Sequence, residues 1–134
     1  MSSAFQATTS GITVTVRVFF LPEQSRPPAS VFVWAYHITI QNGGERTMQL
    51  LSRRWEITDA NGATQIVEGQ GVVGETPVLE PGMSFDYTSG TPLGTSSGFM
   101  VGTYYMIDVE TNEPFSIAVP AFALESPEPG ARIH

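Results

Sequence analysis

The chain contains no cysteine and no lysine, and few charges of either sign. Without cysteine there is neither a disulfide framework nor thiolate chemistry. All six basic residues are Arg, a bias to which no function is attached. Charged residues make up 14% of the chain, well below the usual share of about a quarter, which excludes a disordered acidic tail. No apolar run approaches the length of a membrane span. The start, Met1-Ser2-Ser3-Ala4-Phe5-Gln6, has neither the basic n-region nor the apolar h-region of a signal peptide. The net charge of −7 repels nucleic acid and anionic lipid. These absences predict a cytoplasmic protein with no nucleic-acid and no membrane partner. No G-x-S-x-G elbow exists, and His37 is the only internal base besides the terminal His134. No catalytic residue, no enzyme activity and no cofactor is therefore expected.

What is present is alternation of period two. Ile12 to Phe20 alternates apolar and polar residues and reads as a half-buried strand. Further strands are expected at Val31 to Gln41, Thr47 to Thr58, Ala63 to Glu68, Met83 to Thr88, Phe99 to Val109 and Pro114 to Leu124. Asn42-Gly43-Gly44, Asp59-Ala60-Asn61-Gly62 and Glu110-Thr111-Asn112-Glu113 separate them as turns, and Ser89 to Ser97 reads as a polar loop. No amphipathic helix is apparent. The expected fold is all-β, a two-sheet antiparallel sandwich, with barrel closure as the alternative. A single domain over residues 1–127 is followed by a short tail, 128–134, that opens at Pro127-Glu128-Pro129-Gly130.

Gly69, Gly71 and Gly74 spell the G-x-G-x-x-G of dinucleotide sites. That motif needs a strand feeding a helix whose N-terminus meets a pyrophosphate. Here Thr76-Pro77-Val78-Leu79-Glu80-Pro81-Gly82 follows, and no useful helix can start there. The plainer reading is that glycine supplies positive φ in a tight bend. The functional reading is an anion cradle of backbone N–H groups at Gly69, Gly71, Gly74 and Glu75, with Arg53 offsetting the acidic flanks. Strict alternation places Leu51, Arg53, Trp55 and Ile57 on the apolar face of their strand. Arg53 then either snorkels over Trp55 with its head in water or serves as a polar anchor that holds the glycine loop or a partner. Met100, Gly102, Tyr104 and Met106 share one face and are expected in the core. Asp108, Glu110 and Glu113 gather around a hairpin and read as a solvated turn, with weak binding of a hard cation as the alternative; with no Cys and no spaced His no metal site is predicted.

Several segments in order, from Val14 to Ala123, resemble the ApaG family. They are Leu50-Leu51-Ser52-Arg53-Arg54-Trp55, Thr58-Asp59-Ala60-Asn61-Gly62, Gly69-Gln70-Gly71-Val72-Val73-Gly74-Glu75, Leu79-Glu80-Pro81-Gly82, Tyr87-Thr88-Ser89-Gly90, Met100-x-Gly102-x-Tyr104-x-Met106 and Val119-Pro120-Ala121-Phe122. The resemblance implies an immunoglobulin-like/fibronectin type III-like sandwich in a small bacterial cytosolic protein. It also implies a link to cobalt resistance and magnesium efflux, partner proteins as ligands, and no agreed catalytic activity. The function expected from it is a non-enzymatic protein–protein interaction domain with an indirect role in divalent-cation homeostasis. Exposed aromatics among Phe19, Phe32, Tyr36 and Phe99 are candidates for the contact, and a free strand edge can join two copies as a homodimer. The alternative function is a phosphate or nucleotide sensor built on Gly69 to Gly74.

Overall fold

Alternation in sequence becomes alternation of burial, strand after strand, in the computed structural model, which describes residues 3–127. The expected tail, 128–134, lies outside the described residues, as does His134. Nine strands form: β1 Ser3–Thr9, β2 Ile12–Phe20, β3 Phe32–Asn42, β4 Met48–Asp59, β5 Thr64–Gln70, β6 Val78–Leu79, β7 Ser84–Leu93, β8 Ser97–Asp108 and β9 Pro114–Glu125. Among the described residues there is no α-helix, only two 3-10 turns at Pro22–Gln24 and Pro27–Ala29.

One sheet has the order β1-β2-β3-β7, the other β5-β4-β8-β9 with β6 paired to β4, and every pairing is antiparallel. The two sheets pack face to face as the expected immunoglobulin-like/fibronectin type III-like sandwich. The β1 and β9 edges meet on one side, where Thr9 Oγ1 accepts the Ala118 N–H. The β5 and β7 edges lie on the other.

Between the sheets, Ile12, Val14, Val16, Trp34, Ile38 and Ile40 face Leu50, Trp55, Met100, Tyr104, Met106 and Phe122. Trp55 is the hinge of this packing: its ring meets Tyr36, Phe122 and Tyr104 at centroid distances of 5.6, 5.9 and 6.3 Å, all edge-on. Gly102 makes room for it, because a Cβ there would stand 2.6 Å from Trp55 Cε3. The face expected to hold Met100, Gly102, Tyr104 and Met106 is in the core.

Four expectations are corrected. β1 was not read as a strand, and it pairs with β2 through a Ser10-Gly11 turn with φ of 51° and 80°, the primed geometry suited to hairpins. The segment Ser89 to Leu93 is no loop; it continues β7, because the long β3 supplies a ladder from Phe32 to Gln41. Leu51 does not share a face with Trp55: the register of β4 on β8 shifts between Leu50 and Ser52, so the extra residue at the bulge turns Leu51 outward and Leu50 inward. Phe32 and Tyr36 are buried, since the even positions of β3 point into the core, whereas Phe19 and Phe99 are exposed.

Candidate functional site

The edge of the second sheet carries an interruption. β5 runs antiparallel along β4 until Gln70 stands opposite Ser52, and β6 resumes the same path with Val78 opposite Gln49. Between them residues 71–77 leave the sheet as a small hairpin. Val72 and Glu75 exchange both backbone hydrogen bonds, at 2.8 and 2.9 Å. The two residues of the turn, Val73 and Gly74, have φ of 44° and 81°, which is a type I′ turn. The bulge at Leu51 faces this excursion: the Gly71 N–H bonds to the Leu51 carbonyl, and the Leu50 N–H to the Pro77 carbonyl.

The glycine spacing thus serves a turn. Gly71 has φ of 63° and is packed against the Glu75 carbonyl, while Gly74 has open space around it. The N–H groups of Gly71, Val72 and Glu75 each already have a carbonyl partner within the fold. Gly69 plays another part. The Arg53 guanidinium lies where its side chain would be, with Nη1 and Nη2 2.9 Å from the position of a Cβ. From there Arg53 Nη1 donates to the carbonyls of Gln70 and Gly71 at 3.0 and 2.7 Å. Arg53, Gly69 and Gly71 therefore meet in one place, with Arg53 as an anchor of the loop; Glu75 closes the hairpin against Gly71 and Val72, and of these residues Gly74 alone lies out in the turn.

Val73 is the unusual residue. A β-branched side chain at positive φ costs of order 1–3 kcal/mol, and this one is 54% exposed, so burial returns little of that. Its neighbour Val72 is fully buried and pins the hairpin to the core. The two-residue turn at Val73-Gly74 was not legible, because valine at its first position hides the signal that a final glycine gives.

Behind the hairpin, between the β5 and β7 edges, lies a seam of hydroxyls. Tyr87 and Tyr104 share a short hydrogen bond between their hydroxyls, and Tyr36 stands opposite Ser89 in the β3–β7 register. Burial holds all three tyrosines above the usual phenol range, with the Arg53 charge pulling weakly the other way. No sequence signal marked this cluster, since its members come from β3, β4, β7 and β8.

The outer face of the second sheet is apolar near the hairpin. Leu51, Val78 and Tyr105 are each at least 39% exposed, as are Ile66, Phe99 and Val109 farther along. Register brings Tyr105 beside Ser52 next to the bulge, and Val78 and Ile107 to either side of Gln49. A charged row, Arg54 bridging Glu56 and Glu68, crosses the face farther up. The outer face of the first sheet is hydroxyl-rich instead: Thr8 pairs with Thr13, Gln6 with Thr15, and His37 with Thr88 and Asp86.

The acidic turn is already engaged. Asp108 accepts from Arg46 Nε and from the N–H groups of Glu110 and Thr111. Arg46 first, and these amides, hold its carboxyl below the usual range against some desolvation. Among the described residues no three His, Cys, Asp or Glu side chains gather as a metal site.

The ApaG domain family matches residues 22–108. Protein ApaG of Paramagnetospirillum magneticum is 55% identical over 130 residues, which span 97% of this chain and 99% of that one. Protein ApaG of Rhodospirillum centenum is 52% identical over 128 residues, 96% and 98% of the two chains. Among solved structures, the ApaA protein of Bordetella pertussis superimposes with a TM-score of 0.84 at 44% identity, covering 87% of this chain and 94% of its own.

Proposed function

The chain belongs to the ApaG-domain family, and on that footing we propose that it is a non-enzymatic protein–protein interaction domain of the cytoplasm, with an indirect role in Co2+/Mg2+ homeostasis. The observation that carries the reading is the apolar face beside the hairpin. Leu51, Val78 and Tyr105 lie exposed on one side of a sheet, next to a turn that presents Val73 to solvent at a conformational cost. An exposed apolar cluster on a rigid sheet, rimmed by charge, suits a partner surface. Val72, Arg53 and the Leu51 bulge hold the hairpin in place before any partner arrives, which lowers the ordering cost of association.

The cation role is indirect in this reading because Asp108, the best-placed carboxylate of the acidic turn, is engaged by Arg46 and by backbone amides. Calorimetry with cobalt should give no stoichiometric sub-micromolar binding.

Affinity capture from a cytosolic extract tests the reading, with the wild type and the Leu51→Thr/Tyr105→Thr double variant as baits. The expected result is a protein retained by the first and lost by the second. A partner held equally by both would overturn the choice of face. A phosphate sensor at Gly69, Gly71, Gly74, Glu75 and Arg53 makes a different demand: titrating ATP would then shift amide resonances centred on residues 69–74.

A further inference from the structure

The four sheet edges are managed unequally. β1 and β9 lie against each other. β5 is stopped at Gln70 by the hairpin and runs along a bulged neighbour. β7 is different: Ser84–Leu93 pairs with β3 in unbroken register, and among the described residues no strand pairs with its other side. It carries no Lys and a single charge, Asp86. Long, straight edges of this kind are the ones that pair with another chain.

The backbone says which residues would pair. Val33 gives its carbonyl to Leu21, on the β2 side of β3. Hydrogen bonds alternate in direction along a strand, so the odd residues of β3 bond to β2. Their register partners on β7, namely Ser84, Asp86, Thr88, Gly90 and Pro92, turn their main-chain groups to the open edge. Pro92, with no N–H, sits at a position where none is needed for the fold.

We propose that β7 is a homodimer edge, joining two copies antiparallel about a two-fold axis at Tyr87 and extending the four-stranded sheet across both. In that register Asp86 pairs with Thr88 of the second copy, and Ser84 with Gly90. Every one of these pairs exchanges both its bonds, and Pro92 is left outside. The register shifted to centre on Asp86 puts like charges opposite each other. The one centred on Thr88 sets Pro92 against Ser84 and loses a bond. The occupant is a second copy because one register alone pairs Ser84, Asp86, Thr88 and Gly90 all together, with Asp86 off the axis and Pro92 outside the ladder. Each copy carries −7, so the dimer strengthens with salt as the mutual repulsion is screened.

Sedimentation velocity from micromolar to millimolar protein, with amide exchange at both ends of that range, tests it. The expected result is a concentration-dependent dimer in which the amides of Ser84, Asp86, Thr88 and Gly90 gain protection on association, while those of Phe85, Tyr87 and Ser89 are protected throughout. Thr88→Pro, whose lost N–H has no partner within the monomer, should raise the dissociation constant about tenfold or more. A monomer at every concentration would overturn the proposal. So would a dimer whose β7 edge amides stay unprotected, or one that Thr88→Pro leaves intact while circular dichroism shows the variant folded.

Discussion

β5 and β7 end their sheets on the same open side of the sandwich, yet the chain treats the two edges oppositely. The β5 edge is broken by a hairpin, backed by the Leu51 bulge and tied down by Arg53. The β7 edge runs straight, with only Asp86 and Pro92 to qualify it. Between them the hydroxyls of Tyr87 and Tyr104 join the two sheets. The difference teaches that one molecule can present a built, rigid protrusion and a bare ladder within the same gap. A protrusion offers side chains to a chosen partner. A bare ladder offers main chain, which another copy of the same strand reads equally well.

The contrast can be broken at its strongest point first. Gly71→Ala forces a side chain into positive φ and against the Glu75 carbonyl, and should cost about 2–4 kcal/mol by urea denaturation. An unchanged midpoint would mean that the hairpin is not held as described. Arg53→Ala removes the donor to the Gln70 and Gly71 carbonyls and should cost about 1–2 kcal/mol. Amide exchange should quicken from Gly71 to Glu75 and stay the same along β7; equal quickening on both edges would erase the distinction between them.

Val73→Asn works in the other direction. Asparagine accepts the left-handed region, so stability should rise by about 1 kcal/mol, while capture of any partner through the hairpin falls. If stability does not rise, the turn carries no strain.

The seam is probed by pH. The folded values of Tyr87 and Tyr104 are raised by burial. The stabilisation they give is therefore fully present below the unfolded tyrosine value of about 10 and is lost as pH rises through the folded values. Thermal melts should fall above that point and be flat for this reason below it. Tyr87→Phe should shrink the alkaline loss at a small cost near neutrality. A melt curve with the same alkaline slope in both proteins would place the titrating group elsewhere.

Much of the fold was legible because its signal is local. Val14, Val16 and Val18 on β2 alternate with Thr13, Thr15 and Arg17, while Met100, Tyr104 and Met106 on β8 are marked by their even spacing within an apolar and aromatic run, and each of the six is buried. β1 was not legible: its inward positions are Phe5, Ala7 and Thr9, and only one is a large apolar residue. The end of β7 was misread because Gly90 and Pro92 are breakers in isolation. They are tolerated where an edge leaves Pro92 no N–H to supply and β3 provides the pairing. Of the candidate site, the glycines were found and their use as a bend was one of the two readings. Arg53 as an anchor of the loop was likewise one of two readings, and its bonds to the Gln70 and Gly71 carbonyls bear it out; the tyrosine seam was not legible, since its contact joins residues distant in sequence.

The sequence by itself determined that the chain alternates, turns often and offers no amphipathic helix, and so that it builds antiparallel sheet; a two-layer sandwich in place of a closed barrel was decided by the tertiary structure. A residue's preference for a pleated surface acts within a few neighbours, which is why composition and spacing carry it. The tertiary structure alone decided that Leu50 and not Leu51 points inward, that Gly69 yields its space to Arg53, and that one edge is interrupted while the other is left open. Those outcomes depend on register between distant strands, where a single extra residue exchanges one face for the other.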